Sequence, residues 1–180
     1  AGAFDQMQRR GLVEGLFLSS GIVGTVRTMD RMLATVEIVR RTYNWTGYVH
    51  LKIMPDAEDA QIERPVQLAD RISVNLEAPN PERLVRLAPK KDFAHGLVDP
   101  LYRAWRIVRQ QRNTGRPAAG AGATTQFVVG PAGESDQNAS STPRTRTPEM
   151  RWSALVKWPL SPMTITRVLS AMPNASISAI

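Results

Sequence analysis

Four short polar groups stand where apolar runs of this chain stop, and they are the residues whose types and spacing could do chemistry. Ser19-Ser20-Gly21 closes the run Gly15-Leu16-Phe17-Leu18. His50 and Lys52 lie in Gly47–Ile53, which Met54-Pro55-Asp56 ends. Asn75 and Glu77 alternate with Ile72, Val74 and Leu76, and Ala78-Pro79 follows. Gly130, Gly133, Glu134, Ser135 and Asp136 follow Thr124–Val129. In a parallel α/β sheet, ligands bind at the C-terminal ends of the strands. Four polar groups at matching positions therefore point to one ligand site. Taken singly, each has a plainer reading. Ser-Ser-Gly makes a turn, Lys52 snorkels, Glu77 pairs with Lys52 or Arg71, and Glu134 favours a helix N-terminus. No catalytic residue and no metal ligand can be assigned. His50 and His95 are the only histidines, and HExxH, GxSxG and Walker patterns are absent. Gly120-Ala121-Gly122 precedes a strand, whereas a dinucleotide fingerprint follows one.

The elements that must position these groups alternate between strand-like and helix-like. Phe4–Val13 is polar and helix-compatible. Thr28 is a candidate cap for a helix in which Met29, Met32, Leu33, Val36 and Val39 recur at helical spacing, most simply as core. Asp56 and Asp59 suit the start of the next helix, and Pro65 inside it predicts a kink or split. Asn80-Pro81-Glu82 is a helix start with an N-cap, a first-position proline and a first-turn acid. A longer helix over Pro100–Arg112 buries Leu101, Ala104, Trp105 and Val108. Residues 113–123 read as a Gly/Ala/Pro-rich loop. Strand-helix alternation predicts a parallel sheet with right-handed crossovers. Residues 137–149 are Ser/Thr/Pro/Arg-rich and read as a linker. Residues 150–180 show no clear period beyond one short strand near Met163–Leu169. The expected organisation is a core over 1–136 and a linker with an irregular tail over 137–180.

Composition bounds these readings. The chain has 180 residues and a formal charge of +7. It has no cysteine, which excludes disulfides, thiolate zinc sites, a cysteine nucleophile and self-ligated iron–sulfur clusters. No apolar run approaches the roughly 20 residues of a membrane span, and no secretory signal heads the chain. Residues 1–90 carry 12 basic and 11 acidic groups, whereas 91–180 carry 11 and 5. A basic half suits a nucleic-acid partner or a solvated tail. Arg103, Arg106, Arg109 and Arg112 form a stripe along the long helix, readable as a solvated face or a phosphate track.

The segments GLFLSSG (15–21), GYVHLKIMP (47–55), ADRISVNLEAPNPERLVRLAPKKDF (69–93) and TTQFVVGPAGESD (124–136) together resemble radical S-adenosylmethionine proteins. The likeness is to the group assigned to DNA modification or repair and encoded beside a uracil-DNA-glycosylase-like protein. The resemblance implies a cytoplasmic protein with a partial (β/α) barrel, an incomplete TIM-type barrel. It implies two cofactors, S-adenosylmethionine and a 4Fe-4S cluster on a CxxxCxxC loop. Reductive cleavage would yield a 5′-deoxyadenosyl radical acting on a nucleic acid or nucleotide-like substrate.

By resemblance, Ser19-Ser20-Gly21 takes the place of the motif that holds the methionine amino group, without the acid of the common Gly-Gly-Glu form. Asn75 and Glu77 stand where the ribose or carboxylate is met, and Lys52 is a further contact. Val129, Gly130 and Glu134 belong to the strand that lies against adenine, with Gln126 in place of its first glycine. The missing cysteines imply that the family's first strand and cluster loop are lost from this chain, which alone would then be inactive. The alternatives are a non-catalytic nucleic-acid-binding module and a partial domain without independent function.

Overall fold

Three apolar runs and one threonine-rich run become the parallel strands β1 (Gly15–Leu18), β2 (Tyr48–Lys52), β3 (Arg71–Ser73) and β4 (Gly122–Val128). The computed structural model describes residues 1–21, 25–128, 152–156 and 164–169. Between and before the strands lie α1 (Gly2–Arg9), α2 (Thr25–Glu37), α3 (Asp59–Leu68), α4 (Pro81–Leu87) and α5 (Asp99–Asn113). One π-helical turn, Ile38–Thr42, extends α2, and another, Phe93–Val98, leads into α5. Two further strands, β5 (Trp152–Val156) and β6 (Thr164–Leu169), complete a six-stranded sheet of order β1-β2-β3-β4-β6-β5. β1 to β4 are all parallel and follow chain order, so every crossover steps the same way. β6 runs antiparallel to β4, and β5 antiparallel to β6. The fold is α/β, as the alternation predicts.

Register separates the two faces. Leu16 pairs with Val49, Leu51 with Ile72, and Ile72 with Ala123. These residues share one core with Met29, Met32 and Val36 of α2, Ile62 and Val66 of α3, and Leu101, Ala104, Trp105 and Val108 of α5. Side chains alternate along a strand, so the intervening residues occupy the opposite face. There Phe17, His50 and Arg71 form one row, and Lys52, Ser73 and Thr124 the next. One face is therefore apolar and helix-covered, and the other is mostly polar.

Several local expectations meet a different outcome. Thr28 lies inside α2, which begins at Thr25. Helix α3 runs through Pro65 without a break, and that ring is buried. Burial of the proline offsets its lost N–H. Gln61 accepts from the Glu58 N–H at 3.3 Å and so fixes the start of α3. β3 is shorter than the alternation of Ile72, Val74 and Leu76 implies, because pairing beyond Ser73 passes to isolated bonds such as Val74 N–H to the Thr124 carbonyl at 3.1 Å. Residues 150–180, expected to be irregular apart from one strand, contain both β5 and β6. Asn80 caps α4 as read, its side chain accepting from the Arg83 N–H at 3.0 Å.

Candidate functional site

The C-terminal ends of β1, β2 and β3 bring Ser20, Lys52, Asn75 and Glu77 to one cleft, which Lys91 closes. Ser19 and Gly21 flank Ser20 and are exposed. Val129, Gly130 and Glu134 lie outside the described residues. The enclosed part of the cleft is about 10 Å³, room for a single water, so a larger ligand would sit across its mouth.

Glu77 lines this cleft from an unusual backbone conformation. Its φ is 64°, a left-handed conformation that a glutamate rarely adopts. Two backbone bonds hold it there: its N–H donates to the Gln126 carbonyl at 3.0 Å, and its carbonyl accepts from the Val128 N–H at 2.8 Å. Its carboxylate accepts from Lys91 Nζ at 3.1 Å. The partner of Glu77 is thus Lys91, and not Lys52 or Arg71 as the sequence allowed. Lys52 does not snorkel away: burial pulls its pKa down, Glu77 opposes this, and Lys91 adds to it. The cleft holds two ammonium groups and one carboxylate, an arrangement that leaves one positive charge for an anionic group of a ligand, such as a carboxylate.

Asn75 is held by Gln126, to whose Oε1 its Nδ2 donates at 2.9 Å. Gln126, the departure from the glycine of the resembled family, therefore orients a cleft residue. Asn75 Oδ1 is buried without a partner, as are Ser73 Oγ, Arg71 Nε and His50 Nε2. All four belong to the polar face of β2 and β3 or to its continuation. Each unsatisfied atom costs about 1–3 kcal/mol unless a ligand or water pairs with it. Ser73 and Lys91 are not marked by the sequence reading, and Arg71 enters it only as a possible partner of Glu77. Alternation within β3 is the signal that places Arg71 and Ser73 on the same face.

His50 sits in this row with the Phe17 ring at 4.6 Å. Burial, and then the nearby Arg71, push its pKa from 6.5 down to about 4. The folded chain thus favours the neutral ring, so this stabilisation is complete above pH 6.5 and is lost as the pH falls toward 4. The loss is expected to be about 2 kcal/mol, allowing for solvent screening of a half-buried ring. Urea unfolding of wild type and His50→Gln across that interval checks it. Equal acid sensitivity of the two proteins would refute the assignment.

The four arginines of the stripe on α5 have different contacts. Arg103 pairs with Asp59, and Arg112 donates to the carbonyls of Ala119 and Gly120 at 2.9 and 2.6 Å. Arg106 and Arg109 instead lie over the rings of Tyr102 and Trp105. Among the described residues, no three His, Asp or Glu side chains cluster to hold a metal, and no helix is long and apolar enough to cross a membrane.

No protein-family model matches this chain, and neither a curated protein nor a solved structure matches it. The functional reading therefore rests on the cleft and on the sequence resemblance.

Proposed function

We propose that this chain is a partial (β/α) barrel of the radical S-adenosylmethionine type that binds S-adenosylmethionine across the C-terminal ends of β1 to β3. The observation that carries this reading is the charge of the cleft, where Lys52 and Lys91 face a single carboxylate, Glu77, beside the unpaired Asn75 Oδ1. That donor set fits the methionyl end of the cofactor. Lys52 would hold its carboxylate, while Asn75 Oδ1 and Glu77 would accept from its ammonium. Ser19-Ser20-Gly21 would lie along the same end, and Val129, Gly130 and Glu134 would meet adenine by the resemblance. Sequential winding of β1 to β4 with helices packed on one face supports the partial-barrel reading.

The residues do not fit the second implied cofactor. A 4Fe-4S cluster needs thiolate ligands, and this chain has no cysteine. No electron-transfer step is assigned to it, and its own chemistry stops at binding and orienting the nucleoside sulfonium. The substrate class implied by the resemblance is a nucleic acid or nucleotide-like molecule, with a uracil-DNA-glycosylase-like protein as partner.

Titration calorimetry with S-adenosylmethionine tests the reading. One saturable site is expected, weakened at least about tenfold in Lys52→Met by loss of a charge-assisted contact. Absence of binding, or full binding by the variant, would sink it. Anaerobic incubation with iron and sulfide is expected to leave no stoichiometric cluster on the chain.

A further inference from the structure

β3 and β4 keep a regular parallel ladder up to Ser73, which pairs with Thr124. They meet again at Glu77, which bridges Phe127. Ser73 to Glu77 is four steps of chain and Thr124 to Phe127 is three, so one extra residue bulges on the β3 side. Asn75 and Glu77, both lining the cleft, belong to this bulge. A bulge takes polar groups out of the ladder, and they need other partners. Two consecutive residues of β4 supply them. Thr125, fully buried, accepts from the Leu76 N–H through Oγ1 at 3.0 Å. Gln126 Oε1 accepts from Asn75 Nδ2 at 2.9 Å, and the Gln126 carbonyl accepts from the Glu77 N–H at 3.0 Å. Thr125 shares the core face with Ala123 and Phe127, whereas Gln126 shares the polar face with Thr124. The bulge is therefore gripped from both sides of the sheet.

We infer that Thr125 and Gln126 are positioning residues, and that through Asn75 they make the cleft select a ligand carrying a hydrogen-bond donor at that point. An asparagine amide has one acceptor oxygen and one donor nitrogen, and a half turn of the side chain exchanges them. Commitment of Nδ2 to Gln126 leaves Oδ1 for the ligand, and that oxygen is buried without a partner. A held acceptor suits an ammonium, a hydroxyl or an N–H, and opposes a carboxylate. Leu76 stands between the two cleft residues and is anchored twice, by its buried side chain and by its N–H on Thr125. Thr125 thus acts without touching the cleft. The selection rests on the cofactor reading above, in which Asn75 Oδ1 accepts from the methionyl ammonium.

Titration calorimetry of the full chain compares S-adenosylmethionine with its analogue in which hydrogen replaces that ammonium. Wild type should prefer the cofactor at least about tenfold, the scale of one hydrogen bond to a charged group. Thr125→Val and Gln126→Leu should each lose most of this preference, while Thr125→Ser and Gln126→Glu, which keep an acceptor, should retain it. A merely structural loss would weaken both compounds together and leave their ratio unchanged. Gln126 is half-buried and carries the test if Thr125→Val fails to fold. Amide hydrogen exchange without ligand reads the grip itself. Relative to the Ile72 N–H, the Leu76 N–H should exchange at least about tenfold faster in Thr125→Val or, where that variant does not fold, in Thr125→Ala than in wild type or Thr125→Ser. The proposal is overturned by a wild-type preference in folded Thr125→Val or Gln126→Leu, by equal affinity of wild type for the two compounds, or by unchanged relative exchange at Leu76. Binding of neither compound by wild type overturns the cofactor reading and the selection together, a result distinct from equal binding of both.

Discussion

Replacing Arg40 by alanine is expected to lower the unfolding free energy by about 3 kcal/mol, a large part of the stability of a domain this size. The side chain is 19% exposed and satisfies four acceptors. Its Nε donates to the Leu68 carbonyl at 3.0 Å. Its Nη1 donates to the carbonyls of Trp45 and Gly47 at 3.0 and 2.7 Å. Its Nη2 meets Asp70 at 2.8 Å, and the same Asp70 oxygen accepts from the Val49 N–H at 2.7 Å. Arg40 also stands over the Trp45 ring, against which Phe4 packs. One guanidinium therefore ties the end of the α2 extension to the start of β2, the end of α3 and the approach to β3. Alanine would strip three carbonyls of this donor at once and leave Asp70 Oδ2 with the Val49 N–H. Lysine keeps the charge but not the fork, so Arg40→Lys should cost about 2 kcal/mol. Urea unfolding checks both values, and a loss below about 1 kcal/mol in Arg40→Ala would refute the clamp. The clamp lies at the N-terminal ends of the strands, away from the cleft. The folded variant should thus bind S-adenosylmethionine as wild type does.

What could be read from the sequence was decided by neighbours in the chain. Asn80-Pro81 caps a helix through contacts within one turn. Leu101, Ala104, Trp105 and Val108 share a helix face whatever lies opposite, and all four are buried. Strand ends were legible for the same reason, and they placed Ser20, Lys52, Asn75 and Glu77 near one another before any pairing was known. Partners were not legible, because they come from far along the chain. Lys91 reaches Glu77 from the loop after α4, and Gln126 reaches Asn75 across neighbouring strands. Identical spacing hid unlike partners in the arginine stripe, since Asp59 pairs with Arg103 and the carbonyls after α5 accept from Arg112. Trp152–Val156 shows too little alternation to announce a strand, and its pairing depends on β6.

Glu77→Gly is expected to leave folding stability within about 1 kcal/mol of wild type while weakening S-adenosylmethionine binding about thirtyfold. Three effects on stability largely cancel. The native φ of 64° is strained for glutamate and free for glycine, which favours the variant by about 1 kcal/mol. Loss of the Lys91 pair, in which the two side chains are 18% and 20% exposed, acts against it by a similar amount. Glycine also releases more chain entropy on unfolding. Binding has no such compensation. Without Glu77 the cleft presents Lys52 and Lys91 alone, so the ligand's carboxylate keeps Lys52 while its ammonium and sulfonium lose their opposite charge and face two ammonium groups. A simple carboxylate or inorganic phosphate meets the opposite situation and should bind more tightly than to wild type. Glu77→Gln separates the causes, since it keeps the backbone strain, loses the charge, and should fall in both stability and cofactor affinity. Calorimetry with S-adenosylmethionine and with phosphate, beside urea unfolding, reads all three quantities. If Glu77→Gly binds the cofactor undiminished, the carboxylate does not face the ligand, and its left-handed backbone serves only to carry the chain from β3 to its contact with β4.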